Sequence, residues 1–204
     1  MLDGQMRAWN REYRMRGKLW RGEQRDRGSI EQYLQGNLIL DDGSGDGKST
    51  PRSWGVVSLD FSLHALLLNP SDMKILGEMS RLPFKDSSFS SVLFIHSLDH
   101  LLVSERASAL DEARRVLVPE GFTIVRVFSR RDFRFGKGRE VEDGTFLRGN
   151  GVLTHYFTEG EIVSPRGMKE VKREEINYYI NIHGRAYLRQ EYIIIFKKLK
   201  SEYS

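Results

Sequence analysis

Short apolar runs, separated by Gly, Asp, Ser and Pro, fill the chain from position 38 onward. This texture is typical of buried parallel strands covered by helices. It predicts five strands, over 38–40, 56–59, 73–76, 92–95 and 122–128. Two later runs, 175–180 and 191–196, are joined through His183, Gly184 and Arg185, and they predict a closing antiparallel pair.

One segment between the fourth and fifth strands has helical periodicity. Residues 104–117 place apolar side chains on one stripe, at Ala107, Leu110, Ala113, Val116 and Leu117. Ser104 is the predicted N-cap, and Pro119 is expected to end the helix. Strand, helix and strand in this order predict a right-handed crossover and therefore an α/β sheet.

The polarity of the chain divides it into regions. Residues 1–36 are polar, basic and rich in aromatics, which predicts an N-terminal helical cap before a main domain at 37–204. Trp9, Tyr13 and Trp20 would either close over a ligand or cover the sheet edge as ordinary core. The polar, Gly-rich stretch 130–160 is long enough for a lid or substrate loop.

Composition excludes several classes of protein. The 204 residues are 39% hydrophobic and 29% charged and include no Cys, which excludes collagen-like, disulfide-stapled and wholly disordered chains. We expect no metal site. We also expect no membrane segment and a cytoplasmic location, because no apolar stretch is long enough for a spanning helix or a signal sequence. A net charge of +4, with Arg-rich stretches near 7–27 and 126–139, gives a weak indication of an anionic partner.

A glycine loop follows the first predicted strand, with the sequence Asp-Asp-Gly-Ser-Gly-Asp-Gly-Lys-Ser-Thr over 41–50. A Walker A phosphate loop would need glycine at position 42, where the chain has Asp42. A dinucleotide fingerprint would need glycine at position 48, where it has Lys48. The loop fits a third pattern, acid-x-Gly-x-Gly-x-Gly, which runs from Asp41 to Gly47.

Four more segments follow the loop in order: Asp60 at the end of the second strand, then 77–89, 92–101 and 114–122. With the loop, they make the chain over about 37–128 resemble the class I S-adenosylmethionine-dependent methyltransferases. The resemblance implies a Rossmann-like, doubly wound, mostly parallel sheet that the antiparallel pair completes. It implies S-adenosylmethionine as cofactor, contacted by Asp41, Gly43, Ser44, Gly45, Gly47, Asp60, Phe61, Glu78, Met79 and His96.

The function implied by the resemblance is methyl transfer to a small molecule or an RNA, with release of S-adenosylhomocysteine. Similar enzymes include quinone methyltransferases and enzymes acting on tRNA wobble uridines, so a tRNA acceptor is one option. A small activating partner protein or a homodimer is also expected. The alternative is a non-catalytic domain that keeps the fold for binding or scaffolding, which three departures from the family pattern would fit: Asp42, Ser90 and a short helix after the loop.

The resemblance leaves the catalytic residues open. It places His96, Asp99 and His100 near the transferred methyl group, where a histidine is suited to take a proton. Alternatively, His96 contacts the cofactor through its main chain and His100 packs at a helix start. Residues 155–157 are candidates for a substrate wall, and Asp42 and Asp46 are expected to add negative charge near the cofactor.

Overall fold

The computed structural model describes residues 2–19, 28–34, 36, 38–52 and 55–200. Its centre is a sheet of seven strands: β1 (Ile39–Asp42), β2 (Val56–Asp60), β3 (Met73–Leu76), β4 (Phe89–Ile95), β5 (Leu117–Phe128), β9 (Met168–Ile182) and β10 (Arg185–Lys198). Their order across the sheet is β3-β2-β1-β4-β5-β10-β9.

The first five strands are parallel, and β10 and β9 join them antiparallel. The chain moves from β1 outward to β2 and β3, then crosses back to β4 on the other side of β1. In open α/β sheets the crevice beyond the carboxyl ends of the strands at such a reversal is the usual ligand site. The predicted Rossmann-like, doubly wound sheet with a closing antiparallel pair is confirmed.

The helices of the described residues are α1 (Leu2–Arg16), α2 (Gly28–Glu31), α3 (Leu63–Leu68), a short 3₁₀ helix (Leu98–His100) and α4 (Val103–Val116). None of them is long and apolar enough to cross a membrane. The predicted N-cap at Ser104 is wrong, because α4 begins one residue earlier and Leu102 is its N-cap. The Glu105 carboxylate accepts from the Leu102 N–H at 2.9 Å and so caps the helix from within its first turn.

Both faces of the central sheet are covered by buried apolar side chains. One cluster joins β1, β2, β4 and β5 to α4, where Ala109, Ala113 and Val116 are fully buried. A second cluster on the opposite face includes Ile30 of α2 and several buried isoleucines of β5 and β10. Successive side chains of a strand point to opposite faces of the sheet, so the same strands contribute to a hydrophobic core on each face.

The stretch 130–160 contains a second, three-stranded antiparallel sheet with the order β6 (Arg139–Glu142), β7 (Thr145–Leu147), β8 (Leu153–His155). His155 is buried and lies 2.7 Å from the Thr145 hydroxyl and 2.6 Å from the Glu161 carboxylate. Tyr156 and Phe157 are also buried. The hypothesis that residues 155–157 form a substrate wall is wrong, because all three side chains are buried: Tyr156 packs with Phe146 of this sheet, and Phe157 belongs to the core under α4. The role of the stretch as a lid stays a prediction.

Candidate functional site

The glycine loop leaves the carboxyl end of β1 and is fixed at several points. Asp41 accepts a hydrogen bond from the Thr50 hydroxyl at the far end of the loop. The side-chain amide of Asn69, which follows α3, donates to the Ser44 hydroxyl and to the Gly45 carbonyl, both at 3.2 Å. These bonds hold the loop in one shape without a ligand, which lowers the entropy cost of binding one.

Close neighbours make glycine necessary at two loop positions. Gly43 has a φ of +78°, and a Cβ there would lie 2.3 Å from the Cβ of Ser97. Gly45 has a φ of +55°, and its Cβ would lie 2.6 Å from the Tyr13 hydroxyl. A side chain at either position would therefore push away a neighbouring segment as well as strain the main chain.

Asp60 lies at the carboxyl end of β2 and reaches the same loop. One carboxylate oxygen accepts from the Gly45 N–H at 2.8 Å, and the other accepts from the Ser62 N–H at 2.7 Å. Since a carboxylate oxygen has two lone pairs, both oxygens keep one acceptor position. Asp60 can thus bind two neighbouring hydroxyl groups of a ligand while its own orientation is fixed by the main chain.

These elements line a cavity of about 670 Å³, a volume in the usual range for small-molecule sites. It holds nine of the ten residues predicted to contact the cofactor: Asp41, Gly43, Ser44, Gly45, Asp60, Phe61, Glu78, Met79 and His96. Gly47 lies outside the lining. A Cβ on Gly47 would lie 2.6 Å from Pro70, so this glycine lets the loop pack on the chain after α3.

Helix α1 spans the cavity and is bonded on both sides of it. The Gln5 side chain donates to the Gly151 carbonyl at 3.0 Å and accepts from the Leu153 N–H at 2.9 Å. Farther along the helix, the Asn10 side-chain oxygen accepts from the Ser62 hydroxyl at 3.0 Å. The helix thereby contributes four residues to the cavity lining, Trp9, Glu12, Tyr13 and Arg16.

The aromatic residues of α1 face the ligand site. Trp9 stacks on Tyr13 with 5.7 Å between ring centroids, and the Tyr13 hydroxyl lies against the glycine loop. Of the two sequence-based alternatives, closure over the ligand site is therefore the one that fits Trp9 and Tyr13. Trp20 lies outside the described residues.

His96 follows β4 and lies across the cavity from the loop. It has a φ of +56°, and its ring stacks on Phe128 with 4.2 Å between centroids. Its Nε2 is 3.5 Å from the Glu191 carboxylate, and its Nδ1 is 3.8 Å from the Asp99 carboxylate. The imidazole is thus held between two buried acids while about a quarter of its side chain stays accessible.

His100 and Asp99 have structural partners. The His100 Nδ1 donates to the Leu153 carbonyl at 2.6 Å, and Trp9 lies edge-on to its ring. One Asp99 oxygen accepts from the Phe128 N–H at 2.7 Å. Burial lowers the pKa of His100, which favours the neutral imidazole. His100 and Asp99 are thus each held by a contact within the protein, and which of the three side chains exchanges a proton stays a prediction.

Sequence reasoning missed the rest of the wall around His96. Glu191 accepts from Arg126 Nε at 2.6 Å and from the Tyr178 hydroxyl at 2.8 Å. Arg189 lies next to Glu191 and pairs with Asp132 at 2.5 Å. One signal was present: Arg126 interrupts the apolar run 122–128, and a charge inside a buried strand requires a buried partner. That partner, Glu191, is 65 residues away, so no local pattern identifies it.

Comparisons with known proteins agree with this geometry. A family described as a methyltransferase domain matches residues 40–125, which include the loop, Asp60 and His96. The structure of a S-adenosylmethionine-dependent methyltransferase from Methanosarcina mazei is similar, with a TM-score of 0.65 and 25% identity, over 84% of this chain and 97% of that one. Over these residues the chain is therefore similar to S-adenosylmethionine-dependent methyltransferases, in agreement with the class I resemblance of its motifs.

Two curated relatives of the chain have different acceptors in their names. The tRNA N(3)-methylcytidine methyltransferase of Drosophila melanogaster is 32% identical over 43% of this chain and 27% of its own length. The demethylmenaquinone methyltransferase of Renibacterium salmoninarum is 36% identical over 49% of this chain and 45% of its own length. The chain therefore spans less than half of either relative, and the match leaves the acceptor open.

Three buried acids lie at or below the glycine loop. Burial raises the pKa of Asp41 and of Asp60 to about 6. Asp42 is fully buried, and neither of its carboxylate oxygens has a hydrogen-bond partner among the described residues. Burial, with the negative charges of Asp41, Asp60 and Glu112, raises the pKa of Asp42 well above its usual value.

The expectation that Asp42 adds charge beside the cofactor is wrong. Asp42 shares a face of β1 with Leu40, whose side chain belongs to the core under α4, and it does not line the cavity. Asp46 does line the cavity, where its carboxylate accepts from the Leu19 N–H at 3.1 Å. The buried Asp42 therefore affects the stability of the folded protein and is not part of the cavity lining.

We expect Asp42→Asn to stabilise the protein at alkaline pH. An acid whose pKa is raised by folding favours the folded state at low pH, and this contribution is lost as pH rises from about 4 toward the raised pKa. The free energies of unfolding of variant and wild type are measured with urea at pH 5 and pH 8. The difference in favour of the variant should be larger at pH 8 than at pH 5 by at least about 1 kcal/mol. An equal difference at both pH values would contradict the assignment, and Asp72→Asn on the surface is the control.

We expect the pKa of His96 to depend on Glu191. Burial lowers the pKa of this imidazole, but Glu191 and Asp99 outweigh burial and leave it above the ordinary value. In an NMR titration of the histidine rings, Glu191→Gln should move the His96 midpoint to lower pH, because the protonated ring loses its strongest partner. Asp111→Asn, at an acid whose side chain is 69% exposed, should leave the midpoint in place. An unchanged midpoint in Glu191→Gln would show that the two groups are not coupled.

Proposed function

We propose that the chain transfers a methyl group from S-adenosylmethionine to a small-molecule acceptor and that His96 takes up the acceptor's proton. One observation carries the proposal. A single cavity has the glycine loop, Asp60 and Glu78 on one side and the His96 ring, backed by Glu191, on the other. Donor and acceptor could therefore meet inside one pocket, as a direct transfer requires.

The residues present fit the cofactor. Asp60 has acceptor positions for the paired hydroxyls of a ribose, and Glu78 and Met79, which the family resemblance names as cofactor contacts, line the same cavity. The glycine loop brings main chain, without side chains, against the remainder of the molecule. The surrounding acids Asp41 and Asp46 favour a ligand that carries a positive sulfonium.

The protein's part in the reaction is mainly positioning. S-adenosylmethionine supplies an activated methyl group, which the acceptor atom takes in an in-line displacement that leaves S-adenosylhomocysteine. His96 Nε2 accepts the proton that the acceptor atom gives up, and Glu191 stabilises the resulting imidazolium. Because the raised pKa of His96 favours the protonated ring, turnover rises with pH as the ring becomes neutral. Helix α1 excludes water from the transfer.

Helix α1 lies over part of the cavity, and this cover favours a small acceptor. Helix α1 is bonded to the segment before β8 on one side and to the start of α3 on the other, so it covers the site. Beyond His96 the wall is formed by partly or fully buried polar side chains, among them Tyr178, Arg189 and Arg134. Such a wall supports recognition of a compact acceptor with polar or anionic groups.

An RNA acceptor is the second candidate. The observation in its favour is the 32% identity to a tRNA N(3)-methylcytidine methyltransferase, together with the Arg-rich segments of this chain. Against it, nearly three quarters of that relative lies outside the match. The wobble-uridine acceptor and the cytoplasmic location stay predictions of the sequence, as does the small activating partner or homodimer.

We expect Asp60→Ala to abolish cofactor binding. In calorimetric titrations, S-adenosylmethionine and S-adenosylhomocysteine should bind the wild type with micromolar dissociation constants, and the variant should bind at least about 100-fold more weakly. ATP should bind neither protein, since the phosphate-loop motif is incomplete. Asp72→Ala, at an exposed acid outside the cavity, is the matched control. Wild-type protein that binds neither compound would contradict the proposal, and binding without turnover on any acceptor would favour the non-catalytic alternative.

We expect no specific binding of tRNA. In a mobility-shift assay, bulk tRNA should not be retarded by micromolar protein at about 150 mM salt. Retardation at about 50 mM salt that vanishes by about 200 mM would reflect phosphate contacts alone. A complex that persists at the higher salt, and that transfers a methyl group from labelled S-adenosylmethionine to the RNA, would replace the small-molecule acceptor with RNA.

A further inference from the structure

Strand β9 forms one edge of the central sheet and has two different halves. The first half carries a run of charges and a register shift opposite Ile195 and Phe196. The charged residues are Lys169, Glu170, Lys172, Arg173, Glu174 and Glu175. Charges and bulges are what natural proteins use to keep an edge strand from pairing with another chain.

The second half of β9 has none of these protections. Residues 176–182 read Ile-Asn-Tyr-Tyr-Ile-Asn-Ile, without a charge, a glycine or a proline. Their pairing with β10 is regular, and Tyr179 is 66% exposed. Within the part of the chain that the structure describes, no strand pairs with the outer side of β9. An uncharged stretch of seven residues with high strand propensity on such an edge is a template for adding another strand.

The main chain of this half has its hydrogen-bonding groups directed outward. The carbonyls of Leu188 and Gln190 accept from the chain that continues β5, so these two residues bond away from β9. They lie opposite Tyr179 and Asn177 in the antiparallel register. In such a ladder, opposite residues that do not bond each other point their N–H and C=O groups to opposite sides. Asn177, Tyr179 and, by the same alternation, Asn181 therefore present these groups at the open edge.

The sequence of this half is complementary to its own reverse. With a two-fold axis at Tyr179, Ile176 lies opposite Ile182 of a second copy, Asn177 opposite Asn181, and Tyr178 opposite Ile180. In this register Asn177 lies opposite Asn181 of the second copy, and Tyr179 lies opposite Tyr179. The outward-directed N–H groups of these residues can therefore each donate to a carbonyl of the other copy. Tyr178 opposite Ile180 is an aromatic–β-branched pair, which is favourable across strands, and no like charges meet within the segment.

We propose that the chain forms a two-fold symmetric dimer in which residues 176–182 pair with the same residues of a second copy around Tyr179. The two seven-stranded sheets then become one continuous sheet. A self-complementary edge selects a copy of itself over an unrelated chain, because a two-fold contact uses the same patch twice. Seven paired residues bury little area, so the dimer dissociates on dilution.

The dimer also touches the ligand cavity. Tyr178, whose hydroxyl donates to Glu191 in the wall around His96, is in the paired segment. Burial and the charge of Glu191 raise the pKa of Tyr178 to about 12, so this hydroxyl keeps its proton. Pairing with a second copy fixes the strand that carries Tyr178. The proposal does not depend on which acceptor is methylated.

Sedimentation of the full chain tests the proposal, with concentrations from about 1 μM to 1 mM. The wild type should change reversibly from monomer to dimer. Tyr179→Lys should weaken the dimer at least about tenfold, because two like charges then meet at the axis. Val171→Lys adds the same charge to the same strand outside the segment and should dimerise like the wild type. Circular dichroism of each variant confirms the fold, which an exposed position leaves intact.

A mixture of two variants tests the register. Tyr179→Lys and Tyr179→Glu should each remain monomeric alone, and mixing them should restore the dimer, because opposite charges then meet at the axis. Wild-type protein that stays monomeric at 1 mM, roughly the upper limit of weak association, would overturn the proposal. So would Tyr179→Lys that dimerises like the wild type. Two monomeric variants that do not associate when mixed would rule out an axis at Tyr179.

Discussion

The carboxylate of Asp60 joins the parts of the molecule on which the ligand site depends. Its two oxygens bond the main chain of the glycine loop and the turn that opens α3. Through Ser62 the same turn holds Asn10 of α1, and through Gly45 the loop contacts Tyr13 of that helix. Loop, α3 and the covering helix are therefore positioned around one buried acid. Burial raises the pKa of Asp60 to about 6, which means that holding this carboxylate ionised inside the protein is unfavourable.

Much of the fold follows from local patterns in the sequence. All seven predicted strands of the central sheet are present. Four of them, β1, β2, β4 and β5, are buried parallel strands, which have to be apolar on both faces and are therefore easy to recognise. The long α4 is also correct to within one residue at each end. The loop motif, the acid after β2 and two later segments of the family resemblance together identified nine residues of the cavity. For the loop and the acid the reason is physical, since close main-chain approach and paired hydroxyls each demand particular residue types.

What the sequence did not show depends on distant contacts. The three strands at 139–155 are only three or four residues long, and their core is built by His155 and Tyr156, whose burial depends on Glu161 and on the main sheet. The brace formed by Gln5 joins residues 146 and 148 positions apart. Helix α4 is capped by Glu105 and not by Ser104. Both side chains can accept a hydrogen bond from the first turn, and helix propensity does not distinguish between them.

The two sides of the cavity come from different parts of the chain. The loop, Asp60 and Glu78 all lie within the stretch that the methyltransferase family shares, whereas Arg189 and Glu191 lie in β10, far beyond residue 125. Mutations accumulating in the carboxyl-terminal third can therefore remodel the surface opposite the loop while the loop and its contacts stay as they are. Evolution can give such a chain a new substrate without rebuilding the part that holds the methyl donor.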